Sequence, residues 1–233
     1  IFLLKGYAGT GKSSLIGSLV KTITQFKQSA VLLAPTGRAA KVFSGYAGQA
    51  AYTIHKKIYR LDKFGEDGGN FSLNINKHKN TLFIVDEASM INNSSGDFSF
   101  FGSGRLLDDL IEYVHTGEGN KLMLVGDTAQ LPPVHQEFSP ALDEDTLESY
   151  FFSVISCTLT EVLRQSENSG ILANATKLRN SLWIGDTFEF PKLDVSTYED
   201  VKLITGNDLI EEISNAYSRD GVEETIIISR SNK

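Results

Sequence analysis

A run near the start of the chain, Gly6-Tyr7-Ala8-Gly9-Thr10-Gly11-Lys12-Ser13, has the residue types and spacing of a phosphate cradle, G-x-x-x-x-G-K-S/T. Its glycines free the backbone to curl so that successive N–H groups face an anion. A helix opening at that point adds the positive end of its dipole. Lys12 is placed to reach β- and γ-phosphates, and the Ser13 hydroxyl to hold Mg2+. The whole cradle is Gly6, Ala8, Gly9, Thr10, Gly11, Lys12, Ser13 and Ser14. A chance glycine-rich turn is the competing explanation. The apolar run Ile1-Phe2-Leu3-Leu4 directly ahead argues against it, because the motif requires a preceding strand.

Two further runs end in polar groups. Leu82-Phe83-Ile84-Val85 delivers Asp86 and Glu87, and open α/β sheets bind ligands at the C-terminal ends of their strands. Asp86 is placed to hold Mg2+, directly or through water, and Glu87 to orient and deprotonate an attacking water. An acidic pair after a strand is by itself more often a solvated turn; behind a phosphate cradle it points to a hydrolase. Leu124-Val125-Gly126-Asp127-Thr128-Ala129-Gln130 places Gln130 to contact a γ-phosphate, or else is only a strand-to-turn junction. Pro132 and Pro133 fix the exit path by locking φ.

The elements that must carry these groups are legible as alternating periods. Phe2–Leu4, Val31–Leu33, Leu82–Val85, Leu122–Val125, Val201–Ile204 and Ile226–Ile228 are nearly continuous apolar runs, as expected for strands buried on both faces of a parallel sheet. Between them, apolar residues recur at helical spacing around Leu15–Ile23, Leu106–Val114, Ile171–Leu182 and Leu209–Tyr217. The pattern predicts an α/β fold with a parallel sheet and helices on both faces. Residues 61–80, with Gly65, Gly68, Gly69 and an alternating Phe71–Asn76, predict an inserted β-hairpin. Residues 92–104 read as a Ser/Asn/Gly-rich surface loop whose Phe98, Phe100 and Phe101 fold back onto the core.

Composition is that of an ordinary globular protein, 41% hydrophobic and 22% charged, with no apolar run near the ~20 residues that span a bilayer. The single cysteine, Cys157, excludes an internal disulfide framework and suits a reducing cytoplasm; beside an apolar run it is expected to be a buried, inert thiol. Net charge is −7, yet residues 1–60 hold nine Lys or Arg and no Asp or Glu. The other 173 residues carry 13 basic and 29 acidic side chains, a balance of −16. An acid-free segment is suited to face phosphates, since local potential steers an anion more than net charge does, and a fluctuation in a short window is the competing explanation.

In order along the chain, the phosphate cradle, Ala34-Pro35-Thr36-Gly37-Arg38-Ala39-Ala40-Lys41, Thr53-Ile54-His55-Lys56, Asp86-Glu87-Ala88-Ser89-Met90, Gly126 through Val134, and Leu163-Arg164-Gln165 resemble the motifs of superfamily-1 DNA helicases. Within that superfamily the segments are most similar to the RecD/Dda branch, whose α subunit of exodeoxyribonuclease V is an example. The likeness spans roughly residues 1–180 and implies an N-terminal RecA-like domain, with ATP and Mg2+ as cofactors. It implies that Pro35, Thr36, Arg38, Thr53 and His55 meet single-stranded DNA, although His55 reads equally as a packing histidine. Gln130 would sense the γ-phosphate and couple it to DNA. Arg164 would stabilise transition-state charge, unless it only pairs with Glu161 or Glu167. The hairpin would part the strands at a fork duplex, with Phe64 or Phe71 stacking on a base.

The resemblance also implies a domain at 1–200 and, at 201–233, the start of a second RecA-like domain. The abrupt ends of the sequence are read as cuts from a longer protein, and a chain lacking the second domain is expected to hydrolyse ATP poorly. Nuclease or helicase subunits of a repair or recombination complex are implied partners, and movement 5′ to 3′ the implied polarity. A P-loop kinase and a non-catalytic helicase-derived scaffold are the alternatives. Asp-Glu followed by Gly126–Val134 has no place in the first, and intact Lys12, Ser13, Asp86, Glu87, Gln130 and Arg164 argue against the second.

Overall fold

A computed structural model describes residues 1–61, 70–94, 101–161, 169–184 and 192–229. The chain divides into two compact units, Ile1–Arg164 and Gln165–Lys233.

In the first unit β1 (Phe2–Gly6), α1 (Lys12–Gln25), β2 (Ser29–Ala34), α2 (Gly37–Ala47), β3 (Ala51–Thr53), α3 (Ile54–Ile58), β4 (Tyr59–Leu61) and β5 (Phe71–Leu73) are followed by β6 (Thr81–Val85), α4 (Leu106–His115), β7 (Lys121–Gly126), α5 (Glu144–Glu148) and β8 (Ile155–Leu159). Single 3-10 turns lie at Ala88–Met90 and Pro140–Leu142. Six strands form one parallel sheet in the order β3-β2-β6-β7-β1-β8.

The continuous apolar strands follow from burial on two faces. Side chains alternate across a strand, so Leu3, Val31, Leu33, Phe83, Val85, Leu122 and Leu124 join Leu107, Leu110 and Val114 of α4 in one core. Their neighbours Leu4, Leu32, Ile84 and Val125 join Ile16 and Val20 of α1 and Phe43 of α2 in the other. The expected α/β sheet covered on both faces is what forms.

The inserted hairpin begins earlier than its glycines suggest. Its strands are β4 and β5, antiparallel with Tyr59 opposite Leu73 and Leu61 opposite Phe71, and residues 74–80 form no strand. Phe64 lies outside the described residues, as do Phe98 and Phe100. Phe71 and Phe101 are half-buried and stack at 4.5 Å. His55 meets the Phe101 edge at 5.1 Å and Tyr59 at 5.7 Å. Beneath this cluster the buried Asp109 carboxylate accepts from the Tyr59 hydroxyl at 2.6 Å and from the Ser103 amide at 3.0 Å. Burial and that carboxylate push the Tyr59 phenol well above its ordinary range. Tyr59→Phe should lower stability by about 1.5–3 kcal/mol, since a hydrogen bond to a buried charge is lost. Chemical denaturation checks this; an unchanged midpoint would mean that Asp109 is satisfied without the phenol.

Cys157 is exposed, contrary to the expected buried thiol. It lies on β8, the last strand of the sheet order, whose residues 155–158 are all exposed, so the neighbouring apolar run misled the reading.

The second unit contains α6 (Gly170–Ile184) and α7 (Leu209–Asp220). Asn174 and Asp194 bond reciprocally, side-chain amide to carbonyl at 2.8 Å and amide to side-chain oxygen at 2.7 Å. Asp200 accepts from the Gly170 amide at 2.7 Å and the Ser169 hydroxyl at 2.9 Å. These bonds tie residues 192–200 to α6. Val201–Ile204 and Ile226–Ile228 form no strand. A strand needs a ladder for its backbone groups, and no strand is present in this unit among the described residues. No described helix is long and apolar enough to cross a membrane.

Candidate active site

The phosphate cradle is built by backbone geometry. Gly9 and Gly11 hold φ of 83° and 85°, in the left-handed region that residues with a Cβ avoid. Gly11 is the N-cap of α1, and no side chain caps that end; its first turn also contains no acidic residue. Helix N-termini ordinarily recruit a capping side chain or a carboxylate for their unpaired N–H groups. This one leaves the place to an anion. Lys12 Nζ donates to the Gly6 and Tyr7 carbonyls at 2.6 and 2.9 Å, folded over the loop. Thr10 is buried and its hydroxyl donates to the Tyr7 carbonyl at 2.8 Å, holding the turn.

The acidic pair arrives where its strand predicts. β6 ends at Val85, Asp86 follows, and the Asp86 amide donates to the Leu33 carbonyl at 3.0 Å, so the pair opens at the C-terminal edge of the sheet. Glu87 has φ 55° and ψ 38°, a left-handed conformation unusual for a residue with a side chain. Such backbone strain persists where the surroundings over-determine it, and it clusters at functional sites. Burial, then the neighbouring Asp86 charge, raise the Glu87 carboxyl above the usual range, with Gln130 and Lys12 opposing. A carboxylate so disfavoured is a better proton acceptor.

Gln130 joins this group through the turn after β7. The buried Asp127 accepts from the Ala129 amide at 2.8 Å, and the Gln130 amide donates to the Asp127 carbonyl at 3.2 Å. The Gln130 side chain accepts from the buried Ser89 hydroxyl at 3.0 Å. A cavity of about 700 Å³ is lined by Ala8 through Ser14, Asp86, Glu87 and Gln130, with Leu15, Ser18 and Leu159. Lys12, Ser13, Asp86, Glu87 and Gln130, read separately from sequence, thus face one space. Arg164 lies outside the described residues.

The expected DNA residues occupy neighbouring strand ends, because β2 and β3 are paired in register with Ala34 opposite Thr53. Pro35, Thr36 and Arg38 follow β2, with Thr36 and Arg38 exposed; Thr53 ends β3 and His55 follows it. Both threonines also serve the backbone: Thr36 caps α2 by accepting from Ala39, and Thr53 caps α3 by accepting from Lys56. His55 is half-buried on Phe101, and burial lowers its pKa. Phe71 has one face taken by Phe101, so base stacking by Phe71 has only the remaining surface to use.

Sequence reading overlooked Tyr46. Its hydroxyl donates to Asp86 at 2.5 Å and its ring stacks on the buried Phe43 at 5.1 Å. The only local signal is its place on the inner face of α2, three residues after Phe43.

Residues 1–182 match the AAA domain family. Over 134 residues the chain is 32% identical to the ATP-dependent RecD2 DNA helicase of Deinococcus radiodurans, covering 58% of this chain and 16% of that protein. Over 215 residues it is 26% identical to the uncharacterized protein R530 of Acanthamoeba polyphaga mimivirus, covering 77% of this chain and 37% of that one. Among solved structures, the Pif1 helicase from Candida albicans is similar with a TM-score of 0.48 at 23% identity, covering 76% of this chain and 40% of that chain. The matched region spans 16% and 37% of the lengths of these two curated relatives. With the cradle, the acidic pair and Gln130 around one cavity, the chain belongs to the AAA domain family.

Proposed function

We propose that this chain is the ATP-hydrolysing motor domain of a DNA helicase, which spends ATP with Mg2+ to move along single-stranded DNA, 5′ to 3′, and to unwind duplex. The observation that carries this reading is the convergence of Lys12, Ser13, Asp86, Glu87 and Gln130 on one cavity at the C-terminal edge of a parallel sheet. Beside it, the acid-free Pro35–Arg38 and Thr53–His55 segments share the ends of two paired strands.

The uncapped N-terminus of α1 fits phosphate, and the Ser13 hydroxyl and Asp86 carboxylate that line one cavity fit a hard divalent cation. Bound Mg2+ supplies charge neutralisation on the β- and γ-phosphates. Lys12 would leave its loop carbonyls for the phosphates, and Ser13 and Asp86 would hold the metal. Glu87 would take the proton of the water that attacks the γ-phosphorus as the bond to the bridging oxygen breaks and ADP leaves. Gln130, tied to Ser89, would sense whether the γ-phosphate is present. Arg164, assigned by motif resemblance, adds positive charge in the transition state. A second RecA-like domain closes the cleft and grips the DNA strand; nuclease subunits and a fork duplex are the further partners this reading allows.

The test is ATP turnover by the full-length protein with and without single-stranded DNA, with unwinding of forked duplexes carrying either a 5′ or a 3′ tail. DNA should stimulate turnover, Lys12→Ala should abolish it, and the 5′-tailed fork should be the one unwound. Nucleotide binding without any response to DNA would overturn the motor assignment, and unwinding from 3′ tails alone would overturn the polarity.

A further inference from the structure

Tyr46 bonds one of the groups assigned to the metal. Its hydroxyl donates to Asp86 Oδ2 at 2.5 Å. Asp86 follows β6, so one side chain of α2 holds a group 40 residues further along the chain. The phenol is rigidly held. Its ring stacks on the fully buried Phe43 with planes 24° apart. Its backbone carbonyl lies against Gly17 of α1, where a Cβ would stand 2.9 Å from that oxygen, so any larger residue would push α1 and α2 apart.

The direction of the bond follows from the donors available. An ionised carboxylate only accepts, so the Tyr46 proton points at Asp86. Asp86 keeps Oδ1 uncommitted by this bond. A carboxylate oxygen is what a hard cation takes.

We propose that Tyr46 is a positioning residue for the divalent cation, orienting Asp86 through its hydroxyl so that the carboxylate presents oxygen to the metal. This rests on the nucleotide–Mg2+ reading of the site. Groups that orient metal ligands without touching the metal contribute on the order of 10- to 100-fold in metal affinity.

Tyr46→Phe keeps the ring, its stacking on Phe43 and the contact with Gly17, and removes only the hydroxyl. Binding of a fluorescent ADP is measured in EDTA and across a Mg2+ titration, for wild type, Tyr46→Phe, Asp86→Ala and the double variant. Tyr46→Phe should bind the nucleotide as wild type does in EDTA, yet need about 10-fold more Mg2+ or above for the metal-dependent change. In the Asp86→Ala background the further change to Phe should have no effect, because the group it acts through is gone. An unchanged or lowered Mg2+ midpoint in Tyr46→Phe would overturn the proposal. Equal weakening in EDTA, or loss of a cooperative melt, would overturn it too, since the hydroxyl would then serve the fold. A wild-type chain that binds ADP without any response to Mg2+ would instead sink the metal reading itself.

Discussion

In the full-length protein, Glu87→Gln should lower ATP turnover by about 10²-fold or more while nucleotide affinity stays at or above the wild-type level. Glutamine keeps the length and hydrogen-bonding shape of the side chain but accepts no proton at neutral pH. The φ of 55° and the raised carboxyl are the observations behind this expectation. Removing a negative charge beside the phosphate site also relieves repulsion, so binding has no reason to fall. Lys12→Ala makes the contrast, because it removes the cation and should lose affinity together with turnover. Lys12 also ties the Gly6 and Tyr7 carbonyls, so a thermal melt of that variant separates a loosened loop from a lost phosphate contact. Parallel measurement of nucleotide dissociation constants and steady-state rates decides the case. Equal loss of binding in both variants would mean that Glu87 is a ligand-binding group and not the base.

The second large effect is on stability. Phe83→Ala should lower it by about 3–5 kcal/mol, the usual cost of deleting a buried phenylalanine. Phe83 is fully buried, pairs with Val31 and Leu122 in the flanking strands, and meets Tyr113 and His78 edge-on at 6.0 and 5.5 Å. β6 lies inside the sheet, so no solvent-facing relaxation fills the void. At ~2–4 °C per kcal/mol for a chain of this size, the melting temperature should fall by about 6–20 °C. Phe26, 76% exposed, is the control, and its replacement by alanine should stay within about 0.5 kcal/mol. Similar melting temperatures for the two variants would show that the core is not where the buried side chains place it. Three residues beyond Phe83, Asp86 and Glu87 depend on the position of this strand, so a partial loss of nucleotide affinity should accompany the loss of stability.

The sequence by itself determined what depends on neighbouring residues. Left-handed glycines followed by Lys12 and Ser13 build the cradle locally. Four of the six apolar runs, at Phe2, Val31, Leu82 and Leu122, became core strands because alternation of apolar side chains on both faces demands burial on both. Their C-terminal ends then had to share one edge of a parallel sheet, and that placed Asp86, Glu87 and Gln130 around the cradle. The runs at Val201 and Ile226 share the same local signal and made no strand, since pairing partners are not a local property. β8, with exposed residues and little apolar patterning, was invisible until its ladder with β1 formed. Tertiary structure alone decided that Tyr46, 40 residues from Asp86, would bond it, that Phe71 would stack on Phe101, and that Glu87 would take a left-handed turn. Each of these is set by where packed elements meet, and a sequence records the spacing along an element far better than the contact between two of them.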